Sequence, residues 1–310
     1  MGIFQPLISK TTTMSINTTN KKRQTLLILL NITLIFLVIT LIYKGGYHIK
    51  IYDKLKYQMG IGHQKVSDDQ LKAMNNEYSA PFIDIEKGNI ENQELRIAII
   101  GNSLTSHAIA EKIGWTHESG MAASSIDKDY VHLLATWLSD IPHAYNVKLR
   151  LSNIAPFERN PNLVISSIDS LISFSPEIVI FQLGENVAET DDLDLFKQKY
   201  IELVNRFTLD DRIIICTTPF FPDANKNAAL EEVALQTSSY LVDLSSLVLL
   251  DSQNYAKDEV NYLGDRTLWK ASGIGIHPGD IGMENIAKRL LITTTAAIAN
   301  KTKPSHKSDF

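Results

Sequence analysis

Five short apolar segments alternate with longer stretches of helical periodicity between residues 94 and 299. The segments are rich in Ile, Leu and Val, which is typical of strands buried on both faces of a parallel sheet. Regular alternation of strands and helices predicts a doubly wound α/β sandwich. The predicted strands are Leu95–Ile100, Val147–Leu151, Ile178–Phe181, Arg212–Cys216 and Tyr240–Leu244, and the predicted helices are 127–138, 162–174, 192–207, 227–239 and 280–298.

The composition of the 310 residues is that of a globular protein, with 44% hydrophobic and 21% charged residues. The formal net charge of −5 provides no broad basic surface, which argues against a nucleic-acid partner because such binding depends on neutralising phosphates. The chain has one cysteine, Cys216, so neither an intrachain disulfide nor a cysteine-rich metal site is expected.

A second feature, residues 25–43, is a run of nineteen residues without a charge. At about 1.5 Å per residue a helix of this length spans roughly 28 Å, close to the ~30 Å hydrocarbon core of a bilayer. A cleaved signal peptide has a shorter apolar region and an Ala-x-Ala-like site, which this sequence lacks. We therefore predict an uncleaved transmembrane helix over residues 25–43.

The basic residues near this segment do not decide its orientation, because four lie on each side. The compact Lys21-Lys22-Arg23 cluster favours a cytoplasmic N-terminus and a body outside the cytoplasm. Around the segment we predict a disordered cytoplasmic tail over residues 1–24, a juxtamembrane stalk over 44–93, a main domain over 94–299 and a loose C-terminal tail over 300–310.

Polar residues follow the predicted strands where ligands bind in open α/β sheets, at the carboxyl ends of the strands. Ser103 follows the first strand, Asn153 the second and Asn186 the third, and His277 precedes the last helix. The sequence therefore predicts that a serine, two asparagines and a histidine meet at one edge of the sheet.

These residues and their order resemble the SGNH hydrolases, also called the GDSL esterase family, over about residues 96–291. Gly101-Asn102-Ser103-Leu104 is similar to the family's first block, Gly184-Glu185-Asn186 to its third, and His277-Pro278 to its last. The segments 113–124 and 129–132 also look like a subgroup known mainly as uncharacterised bacterial sequences. The resemblance implies a flavodoxin-like three-layer α/β/α sandwich and a serine esterase that needs no cofactor.

The resemblance also implies roles for the matching residues. Ser103 is expected to be the nucleophile and His277 its base, since a serine hydroxyl needs a group that accepts its proton as it attacks. The side chain of Asn186 and the backbone N–H of Ser103 are expected to stabilise the oxyanion. The family's third donor comes from a glycine that is absent here, and a backbone N–H near Asn153 is the best substitute.

The sequence departs from the family before the histidine. The family's aspartate stands three residues upstream of its histidine, and Ile274 occupies that position here. Either a main-chain carbonyl orients His277, which leaves a serine–histidine dyad, or Asp251 or Asp265 approaches from the preceding loop. Asp280 is interpreted as the N-cap of the last helix and not as a catalytic residue.

The stretch of about twenty residues after Ser103 is longer than the usual connection between a strand and a helix, as binding loops often are. We predict that it faces the substrate, with Trp115 able to stack on a sugar ring, although core packing explains this tryptophan equally well. Glu185 is predicted to be a solvated carboxylate or one that contacts the substrate at the lip of the site. Glu158 and Arg159 either line the cleft or form a solvated surface pair. No metal is expected, because the spacing of His107, His117 and His132 does not place them on one helical face.

The sequence thus predicts a membrane-anchored serine esterase that removes or transfers a small acyl group, such as acetyl, on a carbohydrate-linked or related ester. Thioesterase or lysophospholipase activity is compatible with the same residues. A different class of function stays open as well: a member of the fold without catalysis that binds envelope glycans or a protein partner, for which the missing aspartate is the main support.

Overall fold

A computed structural model describes residues 82–141, 145–188, 192–208, 211–264 and 273–302. The chain divides into two units, residues 1–67 and 68–310, and every described residue belongs to the second. The predicted tail, the predicted transmembrane segment 25–43 and most of the predicted stalk lie outside the described residues. Within the described ranges, no helix combines the length and the apolar character needed to cross a bilayer.

The centre of the described unit is a six-stranded sheet with the order β1-β3-β2-β4-β5-β6. Strands β2 to β6 run parallel, and β1 pairs antiparallel with β3 at the edge. The first parallel strand, β2, lies between the second and the third, which is the flavodoxin-like order of doubly wound sheets. The strands are β1 (Ile83–Lys87), β2 (Glu94–Gly101), β3 (Asn146–Asn153), β4 (Ile178–Phe181), β5 (Ile213–Thr217) and β6 (Tyr240–Val242).

Helices cover both faces of this sheet and complete a three-layer α/β/α arrangement. Buried residues of α1, α6 and α7 pack on one face, and those of α2 to α5 pack on the other. The helices are α1 (Tyr130–Asp140), α2 (Ala155–Arg159), α3 (Ser167–Ser173), α4 (Leu193–Asn205), α5 (Ala224–Gln236), α6 (Ser245–Leu250) and α7 (Asp280–Thr302).

The central strands are apolar along their whole length because successive side chains enter different cores. In β2, Ile97 and Ile99 pack with α1 and α7, whereas Ala98 and Ile100 pack with the helices of the opposite face. All four side chains have no exposed surface. Side chains of a strand alternate between the two faces of a sheet, so a strand covered on both faces must be apolar at every position.

Strand β1 corrects the predicted start of the domain. Residues 83–87 were assigned to the stalk, but they form an edge strand that pairs with β3 in the register Ile83↔Leu151. Their alternation of apolar Ile83 and Ile85 with acidic residues is the period-two pattern of a half-buried strand. At the other end, α7 extends to Thr302, so the helix continues into the predicted C-terminal tail, and residues 303–310 lie outside the described residues.

Two helix starts that the sequence did not predict are explained by a capping aspartate and by Pro156. Helix α5 begins at Ala224, three residues before the predicted start, because Asp223 accepts hydrogen bonds from the N–H groups of Asn225 and Lys226. The short helix α2 was not predicted, and Pro156 in its first turn favours helix initiation there. The predicted helix over 162–174 is confined to Ser167–Ser173.

Candidate active site

A tight turn holds Ser103 directly after β2, at the carboxyl edge of the sheet. The main-chain oxygen of Asn102 accepts hydrogen bonds from the N–H groups of Thr105 and Ser106, at 3.0 and 3.1 Å. The side-chain oxygen of Asn102 accepts another from the N–H of Leu104 at 3.1 Å. Among the described groups, none accepts a hydrogen bond from the Ser103 N–H. The turn therefore leaves both the hydroxyl and the N–H of Ser103 available to a ligand.

The structure brings His277 to Ser103, although 174 positions separate them in the chain. The Ser103 Oγ lies 3.1 Å from the His277 Nε2, and the His277 Nδ1 lies 3.2 Å from the main-chain oxygen of Gly273. A carbonyl oxygen can only accept, so the Nδ1 carries the hydrogen and the neutral ring presents an unprotonated Nε2 to the serine. This tautomer is the one that can accept the hydroxyl proton.

The carbonyl of Gly273 lies beside the imidazole, where either a main-chain carbonyl or an acid was predicted. Gly273 has φ +74°, a left-handed conformation that favours glycine. Asp251 is exposed and accepts a hydrogen bond from the N–H of Gln253, so it caps a local turn instead. No carboxylate of the described residues is hydrogen-bonded to His277, and Asp265 lies outside them. Among the described residues, the group bonded to the imidazole Nδ1 is a main-chain carbonyl, as in the first predicted arrangement.

The surroundings of the imidazole keep it neutral. His277 is partly exposed, yet burial of its ring lowers its pKa to about 4, and the nearby His107 acts in the same direction. The hydrogen bond to Gly273 opposes this shift, because it stabilises the protonated ring. The ring of Phe221 packs edge-on against His277 with 5.7 Å between centroids. An imidazole with a lowered pKa is unprotonated over the whole neutral pH range.

Asn186 stands after β4, on the far side of the topological switch point from Ser103. Its side-chain Nδ2 donates to Glu158 Oε2 at 2.6 Å, and its Oδ1 accepts from the exposed Arg159 at 2.8 Å. These two contacts fix which way the amide points. An amide nitrogen carries two hydrogens, so one remains after the bond to Glu158.

Glu158 is a buried residue that the sequence interpretation placed on the surface or in the cleft. It has no exposed area, and its neighbour Arg159 is exposed, so the two do not form the suggested solvated pair. Its carboxylate accepts from the Gly184 N–H at 2.5 Å as well as from Asn186. Gly184 has φ +124°, which a residue with a side chain rarely adopts. Burial, and then the charge of Glu185, raise the pKa of Glu158.

Glu185, predicted as a solvated or substrate-lip carboxylate, is half-buried, and its carboxylate supports the turn that holds Ser103. It accepts hydrogen bonds from the Asn102 side chain at 2.6 Å, from Gln182 at 2.7 Å and from the Phe220 N–H at 2.8 Å. The same Asn102 nitrogen donates to Glu158 at 3.2 Å. Asn102 therefore bridges two enclosed carboxylates and separates their charges.

Asn153, the third predicted oxyanion donor, braces the loop beside Ser103. Its side-chain nitrogen donates to the main-chain oxygen of Ser106 at 2.7 Å, and its oxygen accepts from the Ala155 N–H at 2.9 Å. The N–H of Ile154 is also taken, by the oxygen of Gly101 at 2.7 Å. The N–H groups of residues 154 and 155 are thus both engaged in the loop.

Trp115 packs inside the long segment after Ser103 and is not displayed to a substrate. Only 4% of it is exposed, and its Nε1 donates to the main-chain oxygen of His107 at 3.2 Å. It packs in a small core with Met121, Ala122 and Ile274. A tryptophan buried in this way cannot stack on a sugar ring unless the segment opens, so core packing, the alternative interpretation of this residue, accounts for its position.

Hydrogen bonds join the long segment to both halves of the site. The Met121 N–H donates to the main-chain oxygen of Ser103 at 2.8 Å. Asp280 is the first residue of α7, and its carboxylate accepts from the N–H of Ser124 at 2.8 Å and from the Ser124 hydroxyl at 2.5 Å. The contacts of Asp280 are therefore with this segment and not with His277. Across the described ranges, no group of three or more His, Cys, Asp or Glu residues is arranged to hold a metal ion.

Comparison with known proteins finds similarity at the level of solved structures. No family model and no curated protein matches the chain. A psychrotrophic esterase from Pseudoalteromonas sp. is 12% identical, with a TM-score of 0.44, over 66% of this chain and 99% of that one. An acetyl xylan esterase is 15% identical, with a TM-score of 0.45, over 64% and 99%. A catalytic mutant of an acetylxylan esterase from Geobacillus stearothermophilus is 16% identical, with a TM-score of 0.40, over 65% and 94%.

Proposed function

We propose that this chain is a serine esterase that uses Ser103 and His277 as a catalytic dyad. The observation that carries the proposal is the contact of 3.1 Å between the Ser103 Oγ and the His277 Nε2, with the opposite ring nitrogen bonded to a carbonyl oxygen. A serine beside an unprotonated imidazole at the switch point of a doubly wound sheet has the composition and the location of a nucleophilic site.

The first half of the reaction forms an acyl-enzyme. The Ser103 oxygen attacks the ester carbonyl carbon while its proton passes to the His277 Nε2. The carbonyl oxygen gains a negative charge, which the Ser103 N–H and the remaining Asn186 side-chain N–H stabilise. The tetrahedral intermediate collapses as the bond between carbon and the alcohol oxygen breaks. His277 returns its proton to that oxygen, and the alcohol leaves.

The second half releases the acyl group by the same steps. Water, or a hydroxyl group of an acceptor, gives a proton to His277 and attacks the acyl carbon. The bond to the Ser103 oxygen then breaks, and the proton on His277 returns to the serine. Water as the attacking group gives a carboxylic acid and makes the enzyme a hydrolase, whereas a sugar hydroxyl gives a new ester and makes it a transferase.

For the substrate we propose a small acyl group, such as acetyl, on a carbohydrate-linked or related ester. This is the substrate class that the sequence as a whole predicts. We further propose that residues 25–43 anchor the chain in a membrane with the body outside the cytoplasm. The uncharged run and the preceding basic cluster support this. Retention of the full chain in carbonate-washed membranes tests the anchor, and protease digestion of intact cells tests the side on which the body lies.

Hydrolysis of p-nitrophenyl esters by the full chain in detergent tests the esterase. We expect turnover that is fastest on acetate and falls with acyl length. Loss of either half of the dyad should lower kcat by roughly 10³-fold or more, as for other serine–base pairs. Ser103→Ala and His277→Ala are the variants, and Ser106→Ala, which removes a nearby hydroxyl outside the dyad, is the control. Turnover that persists in Ser103→Ala would rule out the mechanism.

A further inference from the structure

Glu158 is the most enclosed charged group near the candidate site, and all of its partners are donors. Its Oε1 accepts from the Gly184 N–H at 2.5 Å, the Asn102 side chain at 3.2 Å and the Asn186 N–H at 3.4 Å. Its Oε2 accepts from the Asn186 side chain at 2.6 Å. No partner accepts a proton from it, so the contacts match an ionised carboxylate.

Burying this carboxylate is costly, and no described cation compensates it directly. Arg159, the next residue, is exposed and bonds to Asn186 instead of Glu158. The nearby acid Glu185 adds a second negative charge. The buried Tyr200 on α4 adds no further charge, because burial raises the pKa of its hydroxyl and keeps it neutral. Buried charges without a partner are rare unless a network of hydrogen bonds satisfies them. Here that network converges on the loop that contains Gly184 and Asn186.

Two side chains hold the side-chain amide of Asn186, one at its nitrogen and one at its oxygen. Glu158 holds one hydrogen of the nitrogen, and Arg159 holds the oxygen. A rotation of the amide by half a turn would set its oxygen against the carboxylate and its nitrogen against the guanidinium, so only one orientation satisfies both. In that orientation one N–H remains free of described partners.

We propose that Glu158 is a positioning residue that holds the Asn186 amide in the orientation in which its free N–H stabilises the oxyanion. This inference rests on the proposed esterase function, and it assigns to a buried acid a role that acts through Asn186. Arg159 supports the same amide from the solvent side. The carboxylate bonded to Asn102 and Asn186 thus serves the oxyanion side of the site, whereas the base is oriented by a carbonyl.

A double-mutant cycle on kcat tests the proposal. Loss of one oxyanion donor typically lowers the rate by about 10²- to 10³-fold, and we expect Asn186→Ala to fall in this range. Glu158→Gln replaces one accepting oxygen with a donor that faces other donors. It should lower kcat by roughly 10- to 100-fold with little change in KM, since a misdirected donor loses part of this stabilisation. In the Asn186→Ala background, Glu158→Gln should have almost no further effect, because the group it positions is gone.

Two further variants distinguish the positioning of Asn186 from a general effect on folding. Arg159→Ala removes the exposed anchor of the same amide, so it should lower kcat modestly in the wild type and not in the Asn186→Ala background. Asp129→Asn is the control: Asp129 is also buried, but it accepts from His132 and from Gly120 and does not contact Asn186. Any effect of Asp129→Asn should be the same in both backgrounds. Thermal unfolding identifies variants that do not fold.

The outcomes separate this proposal from the proposed function. Wild-type kcat in Glu158→Gln, wild-type kcat in Asn186→Ala, or effects of the two that multiply would overturn the positioning role. If Glu158→Gln does not fold, Arg159→Ala is used in its place, because it removes the other anchor of the same amide. Wild-type kcat in Arg159→Ala, or an effect that multiplies with that of Asn186→Ala, would then overturn the positioning of the amide. Loss of turnover in Ser103→Ala together with any of these results leaves the esterase and removes only the role of Glu158. Turnover that persists in Ser103→Ala removes the function itself.

Discussion

The two halves of the candidate site are supported in opposite ways. The turn with Ser103 rests on two enclosed carboxylates, Glu158 and Glu185, which the Asn102 amide joins. The loop with His277 offers the imidazole one main-chain carbonyl, from Gly273, and no described carboxylate. Carboxylates thus bond directly to the turn of the serine and to the side chain of Asn186, whereas the imidazole bonds to a carbonyl. The position of the acids in a serine–histidine site therefore cannot be inferred from the presence of the serine and the histidine.

The largest expected effect on stability comes from introducing a third carboxylate beside Glu158 and Glu185. Asn102→Asp removes the amide that donates to both glutamates and adds a buried negative charge. An uncompensated buried charge typically costs about 3–5 kcal/mol, and we expect a loss of this order in the free energy of unfolding at pH 8. Urea unfolding measures it. The loss should shrink at lower pH, where the new carboxyl group can be protonated.

A second substitution sharpens this prediction. Glu185→Gln in the same chain removes one of the crowded charges and supplies amide donors, so it should recover part of the stability that Asn102→Asp loses. The same change alone, in a chain that keeps Asn102, should stabilise the protein less or destabilise it. If Asn102→Asp is as stable as the wild type, the two glutamates are not the crowded pair that the geometry indicates.

A smaller effect is expected on the histidine side, where orientation depends on one backbone conformation. Gly273 has φ +74°, and no described neighbour lies within 4 Å of an added Cβ, so a side chain meets backbone strain but no clash with the described residues. The left-handed region costs an ordinary residue roughly 1–2 kcal/mol, and Asn tolerates it best. We expect Gly273→Ala to lower kcat several-fold as the carbonyl shifts, and Gly273→Asn to lower it less. Steady-state kinetics on p-nitrophenyl acetate checks the order, which would be contradicted if Asn were the worse substitution.

The smallest expected effect is a pH dependence of stability that comes from His277. Its pKa is lowered in the folded protein relative to the ordinary value of 6.5, so between about pH 6.5 and 4 the unfolded chain binds a proton that the folded chain does not. This group therefore contributes a loss of stability as the pH falls through that window and nothing above it. The drop in urea midpoint from pH 7.5 to pH 5 should be smaller in His277→Ala than in the wild type. An equal drop would show that His277 is not buried in its neutral form.

Strand periodicity and the residues at the strand ends predicted much of the fold. The apolar runs placed the five parallel strands within a few residues, because burial on both faces leaves a continuous signal. The edge strand Ile83–Lys87 was missed because its pattern is alternating and short. The capping role of Asp223 was available in the sequence and would have placed the start of α5.

The sequence predicted which residue types meet at the site but not the hydrogen bonds that connect them. Sheet topology predicted that Ser103 and His277 meet at one edge, the resemblance implied that they pair, and the structure brings the two together. The burial of Glu158 could not be inferred, because a Glu-Arg sequence after an apolar residue fits a solvated surface pair as well as a place in the cleft. The position of Trp115 was open for a similar reason, since an aromatic residue in a long loop serves a core or a ligand equally well. Tertiary packing decides between these alternatives.

The most direct test of the central claim is covalent labelling with a fluorophosphonate, which reacts with serines activated by a neighbouring base. We expect one adduct by intact mass and its assignment to Ser103 by peptide mapping. Labelling should be lost in Ser103→Ala and strongly slowed in His277→Ala, while Asp251→Asn should label like the wild type, because Asp251 does not contact the imidazole. An adduct on another serine, no adduct on folded protein, or labelling independent of His277 would contradict the account.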